Sequence, residues 1–128
     1  MGQANSANSN DLHKRTALVV EDDALQRASI TTLLEESDMN VIQCESGEAA
    51  ELVLEHVGGC LSTLLTDVHL AGRMDGIELA QLAKQKFPRL RIVVISSQPR
   101  VSRLPDGTTF IAKPWSPLDV LRETQGPR

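Results

Sequence analysis

Five short apolar segments, separated by amphipathic ones, constrain the fold of this chain more than any other feature of its sequence. The clearest is IVVI at residues 92–95, which is too short for a helix and consists only of β-branched residues. The others lie at residues 17–20, 41–42, 61–66 and 109–112. Apolar strands that alternate with amphipathic helices indicate a parallel sheet covered on both faces. Right-handed crossovers make this an open, doubly wound α/β sheet.

Helix signals occupy the stretches between these strands. Asp23, Ser46 and Ser116 are typical N-cap residues, and each precedes a stretch that we interpret as a helix. The proline that follows Ser116 fits the first position of a last helix. Another helix is predicted from about Gly76 to the residue before Pro88, because proline disfavours helical backbone in the residue ahead of it.

The length and composition fit one globular domain. The chain has 128 residues, of which 41% are hydrophobic and 23% are charged, which is enough for one core and too little for two. Residues 1–13 are polar and rich in Asn and Ser, and they predict a disordered tail. We therefore place the domain at residues 14–124 and a C-terminal tail at residues 125–128.

The composition also excludes two classes of partner. The formal net charge is -4, and the chain has one Trp and no Tyr, so it neither attracts phosphate backbones nor offers an aromatic platform for bases. No apolar run approaches the roughly 20 residues that span a bilayer, and no signal peptide opens the chain. We expect a cytoplasmic protein with neither a nucleic-acid partner nor a membrane partner.

Polar residues follow four of the five predicted strands. Glu21 and Asp22 follow the first, Asp67 the third, Ser96 the fourth and Lys113 the fifth. The carboxyl ends of parallel strands share one edge of a doubly wound sheet, where ligands bind, so we expect these side chains to converge. Three carboxylates there repel one another, and one lysine offsets only part of their charge. Oxygen donors without Cys or His favour Mg²⁺ as the balancing cation, with Mn²⁺ as the alternative.

These residues lie in the runs LVVEDD, LLTDVHL, RMDG, VVISS and AKPW, which in this order resemble the receiver domain of two-component response regulators. The resemblance covers about residues 15–123. It implies a CheY-like, flavodoxin-like fold with a five-stranded parallel sheet in the order 2-1-3-4-5. No output segment follows the last predicted helix, so we interpret the chain as a stand-alone receiver.

The resemblance assigns Asp67 as the phosphoacceptor, which takes a phosphoryl group from a histidine kinase or a histidine phosphotransfer protein. Glu21 and Asp22 match the acidic pair that holds Mg²⁺ together with Asp67, and the backbone carbonyl of His69 is a further ligand. Phosphotransfer and autodephosphorylation are self-catalysed in such a domain, so we expect no other enzymatic activity. A downstream protein target would read the phosphorylated state.

Three further residues match family positions that either contact the phosphoryl group or change position when it is present. Lys113 matches the invariant lysine, and its peptide bond to Pro114 is expected to be cis. Ser96 matches the hydroxyl that moves toward the phosphoryl group, and Phe110 matches the switch aromatic that fills the vacated space. The resemblance therefore implies a local switch built from Ser96 and Phe110.

The sequence departs from the family pattern in two places. One extra residue lies between Asp67 and Gly76, where a surface loop tolerates an insertion. Residues 97–109, where the family places its fourth helix, contain Pro99 and Pro105 and few apolar side chains. We predict that this helix, between the fourth and fifth strands, is shortened or absent.

Three other functions fit parts of the sequence. A receiver-like interaction module that is not phosphorylated is the main alternative, although the acidic pair, Asp67 and Lys113 argue against it. A phosphatase with an aspartyl nucleophile would need a second acid two residues after Asp67, where this chain has His69. A flavodoxin-like cofactor site would need a phosphate-binding loop after the first strand, where the acidic run EDD repels phosphate.

Overall fold

The computed structural model describes residues 15–99 and 101–126. The elements in chain order are β1 (Thr16–Val20), α1 (Ala24–Glu36), β2 (Asn40–Cys44), α2 (Gly47–Val57), a 3₁₀ turn (Gly58–Cys60), β3 (Thr63–Asp67), α3 (Gly76–Lys86), β4 (Arg91–Ser96), β5 (Thr109–Ala112) and α4 (Pro117–Gln125). The predicted tail at residues 1–13 lies outside the described residues, as do residues 127 and 128. Helix α4 runs through Gln125, one residue past the predicted end of the domain at residue 124.

All five strands are parallel and lie in the order β2-β1-β3-β4-β5. This confirms the predicted doubly wound sheet and its strand order. The chain moves from β1 outward to β2, and then returns to place β3 on the other side of β1. The reversal creates the position in an open sheet where loops separate and a ligand cleft forms.

The strand register explains why distant polar residues meet. The last residue of β1 pairs with the residue before Asp67, so Glu21 leaves the sheet level with Asp67. Ser96 pairs with Ala112 at the ends of β4 and β5, and Lys113 follows directly. These residues therefore share one edge of the sheet.

Alternate side chains of the strands point to opposite faces of the sheet and pack into two apolar clusters, one on each face. The cluster beneath α2 and α3 includes Leu18, Val20, Leu54, Leu64, Ala80 and Val94. The cluster beneath α1 and α4 includes Val19, Ile30, Leu34, Leu65, Val93 and Val120. Because each buried aliphatic side chain contributes roughly 1.5–3 kcal/mol, the central strands are a rigid base for the loops that follow them.

The segment between β4 and β5 contains no helix within its described residues, which confirms the predicted absence of the fourth helix of the family. Val101 and Leu104 nevertheless pack against the apolar cluster beneath α2 and α3. The side-chain amide of Gln81 on α3 donates a hydrogen bond of 2.7 Å to the carbonyl of Arg103. An irregular segment anchored to α3 thus covers the region that a helix would otherwise cover.

Four predicted strands differ from the observed ones at their ends, and the first and fourth extend beyond the prediction by only one residue at one or both ends. The third strand begins at Thr63 rather than at residue 61, because the Leu61 N–H donates to the Gly58 carbonyl (3.2 Å) and belongs to the preceding turn. The second strand is longer than residues 41–42 and spans Asn40–Cys44. Within the described ranges, no helix is long and apolar enough to cross a membrane.

Candidate functional site

An open cleft of about 360 Å³ lies at the carboxyl ends of β1, β3 and β5. The residues that line it come from four separate stretches of the chain: Glu21, Asp22, Asp23, Gln26, Asp67, His69, Ser97 and Lys113. The structure therefore brings together the predicted acidic residues, the lysine and His69. Five of the eight lining residues are acidic or basic at the same edge, which makes the cleft strongly polar.

Asp67 is the last residue of β3, and each oxygen of its carboxylate has a bonding partner. The residue is only 7% exposed. Its Oδ1 accepts a hydrogen bond of 3.2 Å from the backbone N–H of His69. Its Oδ2 forms an ion pair with the ammonium of Lys113. These two partners fix the carboxylate at the base of the cleft.

Lys113 joins the two buried carboxylates. Its Nζ contacts Asp67 and lies 3.3 Å from Oε1 of Glu21. Burial opposes the charged ammonium, but the hydrogen bond and charge of Asp67, together with Glu21, outweigh it and raise the pKa of Lys113. The backbone N–H of Lys113 also donates to the Ser96 carbonyl (2.8 Å), and the bond to Pro114 is cis, as the resemblance implies.

Glu21 is the most deeply buried carboxylate of the cleft. It is 2% exposed, and burial is the largest cause that raises its pKa to about 7, with the charge of Asp67 adding to the rise. The backbone N–H of Asp23 (3.2 Å) favours the ionised form but does not offset burial. Arg27 donates to the Glu21 carbonyl at 2.7 Å and holds the loop after β1. A cation near Glu21 would stabilise the ionised carboxylate.

The donor chemistry fits Mg²⁺, although the side chains do not form a closed cage. Among the described residues, no group of three or more His, Cys, Asp or Glu side chains is arranged to hold one metal ion. Mg²⁺ usually keeps several waters and binds through one or two carboxylates plus phosphate oxygens, so an open oxygen site suits it. Glu21, Asp22, Asp67 and the backbone carbonyl of His69 are the groups that would hold the ion, as the resemblance implies, and Glu21 also lies beside Lys113.

The two predicted switch residues lie apart from the cleft lining. Ser96 is fully buried, and its hydroxyl accepts a hydrogen bond of 3.0 Å from the backbone N–H of Gln98. The next residue, Ser97, lines the cleft instead, and the sequence analysis did not single it out. The available signal was the second serine of the VVISS run, which directly follows Ser96 at the carboxyl end of the predicted fourth strand. Phe110 is half-buried on β5.

The start of α3 packs directly on the end of β3. Asp75 and Glu78 form a capping box, and the Gly76 N–H donates to the Val68 carbonyl at 2.8 Å. A Cβ on Gly76 would lie 1.8 Å from the carbonyl oxygen of Asp67. The sequence predicts only that a helix begins near Gly76, whereas the structure shows that glycine at this position is needed for the close approach of α3 to the phosphoacceptor candidate.

Comparison with known proteins agrees with this geometry. The family model described as the response regulator receiver domain matches residues 17–124. The chain is 31% identical over 113 residues to the response regulator receiver protein CpdR of Brucella abortus, and the match covers 84% of this chain and 92% of that protein. It is 38% identical over 82 residues to a cyclic di-GMP phosphodiesterase of Thermotoga maritima, which covers 64% of this chain and only 21% of that protein.

A solved structure shows the same fold. The crystal structure of a response regulator receiver protein from Sinorhizobium medicae superposes with a TM-score of 0.82 at 22% identity, and the match covers 88% of this chain and 93% of that one. Receiver domains are signalling modules, typically without enzymatic activity, that interact with kinases and other proteins and typically bind Mg²⁺. The matching family model, the relatives and the fold together show that this chain belongs to the response regulator receiver domain family of two-component signal transduction.

Proposed function

We propose that this receiver domain accepts a phosphoryl group on Asp67 from a phosphohistidine of a histidine kinase or a histidine phosphotransfer protein, with Mg²⁺ as cofactor. The observation that carries the proposal is the buried carboxylate of Asp67, held against Lys113 at the base of an open acidic cleft. A buried acid paired with a lysine and open to solvent on one side is accessible to a phosphoryl donor.

The proposed reaction needs positioning rather than a base. An oxygen of the Asp67 carboxylate forms a bond to phosphorus while the bond from phosphorus to the donor imidazole nitrogen breaks, and the imidazole leaves with the electron pair. The transition state spreads negative charge over three equatorial oxygens. Lys113 already contacts Asp67 and neutralises part of that charge. Mg²⁺, when bound, supplies the remaining countercharge.

The same cleft accounts for loss of the phosphoryl group. Water that attacks the phosphorus in line returns the free carboxylate of Asp67 and inorganic phosphate. His69 lines the cleft beside Asp67 and flanks that approach. We propose that phosphotransfer and this hydrolysis are the only reactions of the domain, and that a downstream protein reads the phosphorylated state.

The proposed switch uses the O–H of Ser96 as a donor to a phosphoryl oxygen. In the structure the Ser96 oxygen accepts a hydrogen bond from the Gln98 N–H, so movement of this side chain toward the phosphoryl group would also pull on the start of the segment between β4 and β5. Ser96 and Phe110 remain the proposed switch residues. The irregular segment that covers the place of the absent helix would transmit the change.

Intact-protein mass spectrometry tests the proposal. We expect wild-type protein incubated with acetyl phosphate and Mg²⁺ to gain the mass of one phosphoryl group. The gain should be absent with EDTA and absent in Asp67→Asn, because the amide oxygen is a far weaker nucleophile than a carboxylate. Asp106→Asn, in the segment far along the chain from β3, is the matched control and should react like wild type. No gain in the wild type would favour the interaction module that is not phosphorylated.

A further inference from the structure

The first turn of α2 is joined to the loop between β3 and α3, residues 68–75. Oε2 of Glu48 accepts a hydrogen bond of 2.8 Å from the backbone N–H of Arg73. Ser46 and Ala71 form an isolated parallel bridge between the same two segments. The contacts span 25 residues of sequence and tie the middle of the loop to a helix of the core.

Two glycines show how closely the helix and the loop fit. Gly72 has φ +94°, and a Cβ there would lie 2.7 Å and 2.9 Å from the two carboxylate oxygens of Glu48. A Cβ on Gly47 would lie 2.9 Å from Cβ and Cγ of Met74. Glycine at both positions therefore leaves the room that Glu48 needs to reach the loop backbone.

Glu48 interacts with the loop as an ionised acceptor. The hydrogen bond from Arg73 is the largest cause that holds the pKa of Glu48 below its ordinary value, and hydrogen bonds from its own backbone N–H and from that of Met74 act in the same direction. Because the acceptor is charged, the hydrogen bond from the Arg73 N–H is stronger than a bond to a neutral acceptor would be.

One end of the same loop is bonded to the phosphoacceptor candidate, and the two ends of the loop are bonded to each other. The His69 N–H donates to Oδ1 of Asp67 at 3.2 Å, and the Gly76 N–H donates to the Val68 carbonyl at 2.8 Å. The loop is therefore closed at its base and held in its middle by Glu48.

We infer that Glu48 is a positioning residue of the phosphoacceptor site, which acts through the backbone of the loop between β3 and α3 and touches neither Asp67 nor a bound ion. The inference rests on the proposed function, because the carbonyl of His69 in this loop is a predicted Mg²⁺ ligand. Residues that orient metal ligands from a distance commonly change metal affinity when they are removed.

Amide hydrogen exchange tests the anchoring by itself. In Glu48→Ala we expect faster exchange at Arg73 than in wild type, because this amide loses its acceptor. Glu55→Ala, an exposed position on the same helix, should leave this amide unchanged. Glu48→Gln keeps an acceptor oxygen and should restore most of the protection. Unchanged exchange at Arg73 in Glu48→Ala would overturn the inference.

Titration calorimetry with Mg²⁺ alone tests the positioning role without any phosphodonor. Glu48→Ala should bind Mg²⁺ about 10-fold more weakly than wild type. Glu55→Ala should bind like wild type, and Glu48→Gln should fall between the two. Loss of amide protection with unchanged Mg²⁺ affinity would overturn the positioning role and leave a purely structural contact. Wild-type protein that binds Mg²⁺ but gains no phosphoryl group would contradict the proposed function and leave the anchoring intact.

Discussion

Replacing Gly76 with alanine is expected to destabilise the fold by about 2 kcal/mol, although helix propensity alone favours alanine. Alanine in a helix is better than glycine by up to roughly 1 kcal/mol. The new Cβ, however, would lie 1.8 Å from the carbonyl oxygen of Asp67 and 2.9 Å from Cα of Val68, so backbone must move. Overpacking against backbone costs roughly 1–3 kcal/mol and occasionally more, and the steric cost therefore outweighs the propensity gain.

Urea unfolding of Gly76→Ala, with Gly59→Ala as the matched control, measures this effect. A Cβ at Gly59 would meet no heavy atom within 4 Å, so that variant should unfold at the wild-type midpoint or slightly above it. Gly76→Ala should unfold at a clearly lower urea concentration and should also take up a phosphoryl group more slowly, because Asp67 is displaced. Wild-type stability in Gly76→Ala would show that α3 does not approach β3 as closely as described.

Removing the ammonium of Lys113 is expected to slow phosphoryl uptake by about 100-fold. This is the typical effect of losing one preorganised donor that stabilises the negative charge of a transition state. In Lys113→Ala, Asp67 and Glu21 lose their shared cation, so the two buried carboxylates also repel each other without compensation. The variant should therefore show both a lower rate and a lower unfolding midpoint than wild type.

The rate of mass gain with acetyl phosphate and Mg²⁺ separates these two effects when it is measured well below the unfolding midpoint. Lys86→Ala, an exposed residue at the end of α3, serves as the control and should keep the wild-type rate. Lys113→Arg keeps a positive charge on a larger group and should recover stability more fully than rate. A wild-type rate in Lys113→Ala would remove the lysine from the proposed reaction.

The sequence predicted those features of the site that depend on topology. Parallel apolar strands force Glu21, Asp67 and Lys113 to one edge of the sheet, and the register places Glu21 level with Asp67 and Lys113 two residues beyond them. The absence of the helix between β4 and β5 followed from proline content and length, which are local properties. These predictions needed no knowledge of how side chains pack.

Features that depend on tertiary contact could not be predicted in the same way. The bond between Glu48 and Arg73 joins residues 25 positions apart through a loop whose path the sequence does not specify. The need for glycine at position 76 arises from the distance between two backbones, which no local pattern encodes. Whether Ser96 or Ser97 faces the cleft depends on where β4 ends and on the bond to Gln98.

The central claim is that Asp67, and no other acid of the cleft, carries the phosphoryl group. Borohydride reduces an aspartyl phosphate to homoserine, which marks the acceptor permanently and can be located by peptide sequencing in a mass spectrometer. After treatment with acetyl phosphate and Mg²⁺, then borohydride, the account predicts homoserine at position 67. Homoserine at position 22 or 23, or at no position, would contradict it.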